Sequence, residues 1–154
     1  MSEAMTEKQK RMCVLLPCAE QLRWIVPQAC LAEILTVPEA GEEPPVEVSW
    51  RGVDVPVLDF GADSGPAWCN RQSGSGLIAV ILGVRGEGAE YWSVALRGNG
   101  LAVRNVEDKD CQEEPDAIAD NASGALSIDG TIYQVPDLPA LQRLSVDPEA
   151  AVPA

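Results

Sequence analysis

The stretch Leu58-Asp59-Phe60-Gly61-Ala62-Asp63 sets aspartates among small residues, where paired carboxylates sharing one proton could activate a water. Little else in the chain offers chemistry. There is no histidine, which excludes Ser-His-Asp and Cys-His triads, histidine-ligated metals and the usual neutral-pH proton shuttle. The five cysteines, at 13, 18, 30, 69 and 111, form no C-x-x-C pair and read as reduced thiols, with Cys13 and Cys30 acting as small core residues. Gly83-Val84-Arg85-Gly86-Glu87-Gly88 is rich in glycine but lacks the lysine and hydroxyl that bind phosphates and magnesium, so it reads as a hairpin turn. The residues thus point to no catalytic group, no metal and no cofactor.

The Asp59 stretch resembles the Asp-Thr-Gly-Ala-Asp signature of retroviral-type aspartic proteases, small β proteins that pair two aspartates across a dimer. Phe60 stands where that family has a hydroxyl residue, and phenylalanine cannot make the hydrogen bond that rigidifies the site. The apolar-apolar-Gly motif that the family needs well downstream, here Ile81-Leu82-Gly83, also follows too soon.

The elements that would position these residues are short. Apolar bursts rich in Val, Leu and Ile, each stopped by Pro, Gly or an acidic turn, predict strands near 12–16, 22–27, 46–50, 53–59, 76–83, 90–96, 100–106, 124–129 and 131–136. Leu31, Ile34 and Leu35 recur at helical spacing, so one or two helical turns are expected over Gln28 to Leu35. A second short helix is expected after Pro136, capped by Asp137, with Leu138, Leu141 and Leu144 on one face as a terminal lid. Trp24, Trp50 and Trp92 lie in strand patterns and are core residues by default. Trp68 lies in a glycine-rich stretch, 61–76, read as a mobile loop, and could either anchor a partner or fold back onto the body. Residues 1–11 read as a flexible leader, 12–144 as one domain built of two β-barrel subdomains, and 145–154 as a flexible tail.

Hydrophobic residues make up 46% of the chain against 23% charged, the balance of a protein that buries a core. Eleven Lys and Arg against 24 Asp and Glu leave a net charge of −13, which repels phosphate backbones and anionic lipid heads. Nucleic acid is therefore not an expected partner. The longest aliphatic and glycine run, Leu77 to Val84, falls far short of the roughly 20 residues that span a bilayer, so no membrane insertion and a cytoplasmic location are expected.

Three groups of residues follow one another in order. Leu31-Ala32-Glu33-Ile34 precedes a Pro-rich turn and Trp50-Arg51-Gly52-Val53-Asp54-Val55-Pro56-Val57-Leu58-Asp59-Phe60. Tyr91-Trp92-Ser93-Val94-Ala95-Leu96 and Gly100-Leu101-Ala102-Val103-Arg104-Asn105-Val106-Glu107 come next, then Gly130-Thr131-Ile132-Tyr133-Gln134-Val135-Pro136-Asp137-Leu138. This succession resembles the CheW-like coupling domain over about residues 12 to 144. The resemblance implies an all-β fold of two packed five-stranded SH3-like barrels with one or two short helices. It implies a non-catalytic adaptor that joins the cytoplasmic tip of a chemoreceptor to the regulatory domain of a CheA-type histidine kinase. Leu31, Glu33, Ile34, Arg51, Gly52 and Val53 map to the receptor-facing region. Ser49-Trp50 in place of Asn-Leu, and the compact strand with Trp24 and Pro27, resemble the ChpC-like accessory proteins of pilus-type systems. Arg104 stands where the family often has Asp, and the glycine-rich stretch replaces its usual basic segment, so kinase contact is the departure to watch.

Physically, Gly52 permits a tight turn that leaves the Arg51 guanidinium at a rim, where Glu33 is its expected partner. An alternative from another class is a small-molecule-binding barrel walled by Leu77–Val84 and Tyr91–Leu96.

Overall fold

A computed structural model of the chain describes residues 12–19, 22–38, 41, 43–61, 67–68, 74–83, 91–97, 101–107 and 111–146. The strands, in chain order, are β1 (Met12–Ala19), β2 (Leu22–Pro27), β3 (Leu31–Val37), β4 (Glu47–Trp50), β5 (Val53–Leu58), β6 (Gly76–Leu82), β7 (Tyr91–Leu96), β8 (Ala102–Asn105), β9 (Cys111–Glu113), β10 (Ala122–Ile128) and β11 (Thr131–Pro136). They form two mixed, curled sheets, one ordered β8-β1-β2-β11-β10-β9 and the other β3-β6-β7-β5-β4. This is the expected pair of packed SH3-like barrels, with a sixth strand in the first sheet.

The two sheets share one core. Val14, Leu16, Trp24 and Val26 of the first meet Ala79, Ile81, Trp92 and Val94 of the second, and Leu141 closes the cluster. Leu141 belongs to helix α1 (Leu138–Val146), which starts where the Asp137 carboxylate accepts a hydrogen bond from the Ala140 amide at 3.2 Å. Ser145 and Val146 are part of this helix. The other face of β6 and β7 turns into the second barrel, where Ile78 and Ala95 pack with Trp68, and Val80 packs with Trp50 and Val55. The walls named for a ligand barrel are thus filled with their own side chains. As expected, Trp24, Trp50 and Trp92 are buried. Trp68 folds back onto the sheet, its indole N–H donating to the Leu77 carbonyl at 2.9 Å.

The chain departs from expectation at Gln28 to Leu35. Only Gln28–Cys30 make a 3-10 turn, and Leu31–Val37 is a strand paired with β6. A bulge between Leu31 and Glu33 shifts the alternation, and β3 is covered on both sides: Leu31 and Ile34 face the shared core, Ala32 and Leu35 the interior of the second barrel. A bulged strand buried on both faces loses its period of two and imitates helical spacing. Strand β9 was also not expected; three residues with two exposed polar ones carry no periodic signal. The predicted leader 1–11, most of the predicted loop 61–76, residues 84–88 of the predicted hairpin turn, and 147–154 of the predicted tail lie outside the described residues.

Candidate functional site

The β4–β5 hairpin closes through two residues, Arg51 and Gly52, between the paired Trp50 and Val53. Both have positive φ, 50° and 79°, the mark of a type I′ turn, whose twist matches that of the flanking strands. The β10–β11 hairpin has the same backbone at Asp129 and Gly130, φ 53° and 83°. Aspartate is well suited to that first position because its short polar side chain tolerates the left-handed region, whereas arginine there costs about 1 kcal/mol or more. The turn carries arginine nonetheless, so its side chain is the feature to explain.

The Arg51 guanidinium lies 4.7 Å above the Trp50 ring. Trp50 in turn meets Tyr91 edge-on at 4.8 Å. Arg51 Nη2 donates to Glu33 Oε1 at 3.4 Å. The guanidinium is thus aimed by an aromatic face below and a carboxylate beside it, yet 70% of the Arg51 side chain and 42% of Glu33 are exposed. A pair this open contributes at most about 1 kcal/mol to folding. Trp50 also buries its indole N–H with no hydrogen-bond partner among the described residues, a cost of about 1–3 kcal/mol. Two local costs thus meet at one corner whose ion pair stabilises little; the Trp92 indole N–H, in the core shared by the sheets, is likewise without a partner among the described residues.

The six residues marked in the sequence divide accordingly. Glu33, Arg51, Gly52 and Val53 come together at the surface, with Val53 at 45% exposure providing an apolar neighbour to the charged pair. Leu31 and Ile34 turn inward and pack on the shared core, supporting the strand that presents Glu33. Trp50 was read as a core strand residue and a mark of the ChpC-like subtype, and Tyr91 as a strand residue. Their part as a platform under Arg51 needs the β4–β5 hairpin to fold beside β7, which no local spacing announces.

Asp59, the candidate for acid–base chemistry, is occupied. Arg97 Nε and Nη2 donate to its two oxygens at 2.8 Å each, and the Gly61 amide donates to Oδ1 at 3.1 Å. A carboxylate held on both oxygens by a guanidinium is not poised to share a proton with a second aspartate, which removes the protease reading. The clasp lies where the sheets meet: the Arg97 amide donates to the Pro17 carbonyl of β1 at 2.8 Å, and a Cβ on Gly61 would collide with the Arg97 side chain. Among the described residues no group of three or more His, Cys, Asp or Glu could hold a metal ion, and no helix is long and apolar enough to cross a membrane.

No protein-family model matches the chain, and no curated protein does. Among solved structures, the scaffolding protein CheW from Thermoanaerobacter tengcongensis superposes with a TM-score of 0.56, over 82% of this chain and 88% of that one, at 14% sequence identity. The chain has the CheW-like fold. At that identity the agreement lies in architecture alone. On the CheW-like body the corner stands at one end of the second barrel, between β3 and the β4–β5 hairpin.

Proposed function

We propose that the chain is a non-catalytic adaptor of a bacterial chemosensory complex, coupling chemoreceptors to a CheA-type histidine kinase, with the Arg51–Glu33 corner as its receptor-facing surface. The observation that carries the reading is the exposed guanidinium, held over Trp50 and against Glu33 in a turn whose backbone disfavours arginine. The CheW-like fold and the order of the Glu33, Arg51-Gly52 and closing-strand motifs support it. Recognition would work by shape, by Val53 and by exchange of Arg51 from Glu33 to a carboxylate on the partner, since a guanidinium can take two oxygens at once. The ChpC-like subtype, the kinase contact and a cytoplasmic location belong to the same proposal.

The test is capture of chemoreceptor cytoplasmic fragments and of the kinase regulatory domain by the wild-type chain and by Arg51→Glu. The reversal sets two carboxylates side by side at an exposed site and should leave the circular dichroism spectrum unchanged. Receptor capture should fall at least tenfold. Equal capture by the two proteins would remove Arg51 from the docking surface.

A further inference from the structure

Two cysteines that take no part in the docking corner converge where the first barrel closes. Cys13, on β1, is the register partner of Arg104 on β8. Cys111, on β9, is the register partner of Ile128 on β10, and Asp129 is the next residue. The Arg104–Asp129 ion pair, at 3.1 Å, ties these two strand pairs to each other. Both cysteines pack against one buried cluster, formed by Leu15, Ile25 and Ile128. Neither is in a disulfide, and both are partly open to solvent. The other described cysteines are set apart: Cys18 is fully buried with its Sγ directed at the Leu16 carbonyl, and Cys30 packs on the core shared by the two sheets.

We propose that Cys13 and Cys111 are a redox pair, forming a reversible disulfide that closes the first barrel covalently when a low-molecular-weight disulfide is present as oxidant. Burial, and then the neighbouring Cys111, push the Cys13 thiol up, and the first attack is assigned to Cys111, on the three-residue end strand β9. Its thiolate attacks one sulfur of the small disulfide, forming a mixed disulfide and releasing one small thiolate, which takes up a proton. The Cys13 thiol then loses its proton and attacks the Cys111 sulfur, expelling the second small thiol. Two protein thiols are oxidised, one small disulfide is reduced to two thiols, and the two protons leave with them. The cross-link would join positions 13 and 111, so it constrains most of the unfolded chain.

The experiment treats the full chain with oxidised glutathione and maps the product by mass spectrometry without reduction. The expected product has lost two hydrogens, contains a peptide cross-linked through Cys13 and Cys111, melts at higher temperature than the reduced protein, and reverts with dithiothreitol. Cys111→Ser and Cys13→Ser, each checked for folding by circular dichroism, should lose the cross-link and the rise in melting temperature. A native protein that stops at a glutathione adduct, cross-links through Cys30 or Cys69 instead, or does not react while the denatured chain does, would overturn the proposal. Receptor capture plays no part in these readouts, so this result and that of the docking test stand independently.

Discussion

Replacing Asp59 by alanine should be among the most destabilising single changes to a surface-adjacent residue of this protein. The Arg97 side chain is 7% exposed and that of Asp59 19%, and the two share a pair of 2.8 Å hydrogen bonds. Neither group is open enough for water to screen the loss, so removing one partner of such a pair costs about 3–5 kcal/mol. Native stabilities are typically about 5–15 kcal/mol, which makes this a large share. The two truncations should differ. Asp59→Ala leaves a guanidinium in the interior without its carboxylate, whereas Arg97→Ala leaves a carboxylate that keeps the Gly61 amide and some water but loses the methylenes covering Gly61. The double change Asp59→Ala with Arg97→Ala removes both charges. Because neither charge is then stranded, its cost should fall below the sum of the single changes by about 1–3 kcal/mol. Equilibrium unfolding in urea, followed by tryptophan fluorescence and circular dichroism together, measures all three proteins against wild type. If the single costs simply add, within about 0.5 kcal/mol, the clasp is not a coupled unit and the reasoning fails.

Three further outcomes follow from the same geometry. Gly76→Ala would drive a methyl into the Trp68 ring and break its bond to the Leu77 carbonyl; we expect a loss of about 1–3 kcal/mol and a red-shifted emission that Trp68→Phe abolishes. Cys18 is completely buried, and burial raises its thiol well above the ordinary value of 9.0; the unfolded chain therefore releases this proton from about pH 9 while the folded protein retains it. The folded state then binds more protons, so stability is fully present below pH 9 and declines as the pH rises above it, a decline that urea melts should show to be shallower in Cys18→Ala. Glu33→Gln and Arg51→Gln should each change stability by less than about 1 kcal/mol, because the pair is largely open to water, and a larger loss in thermal or urea melts would make the corner a folding element instead.

The Arg51–Gly52 turn was legible because its parts are local. An Arg-Gly step between two apolar alternating runs announces a tight hairpin, and a hairpin tip must put its first residue at the surface. Helix α1 was legible for the same reason: Asp137, Leu138, Leu141 and Leu144 lie within a few turns of one another and need no distant partner to be read. Strand β3 was not, since packing on both faces and a bulge remove the alternation from which a strand is recognised. Asp59 drew attention for its motif, but its partner Arg97 lies 38 residues away. Their meeting depends on parallel pairing of β5 with β7, Val57 to Ser93 and Leu58 to Val94, which brings the ends of both strands to the same edge.

Taken alone, the amino-acid order determined the β-rich class, the Arg51–Gly52 and Asp129–Gly130 turns, the absence of histidine chemistry and the net negative charge, because propensity, periodicity and net charge are sums over near neighbours. Tertiary structure decided which face of β3 looks inward, that Trp68 covers the second barrel, that Asp59 is clasped rather than free, and that Trp50 and Tyr91 hold Arg51 in place. Each of those depends on contacts between residues distant in sequence, and such contacts exist only once the two sheets have curled and packed their shared core.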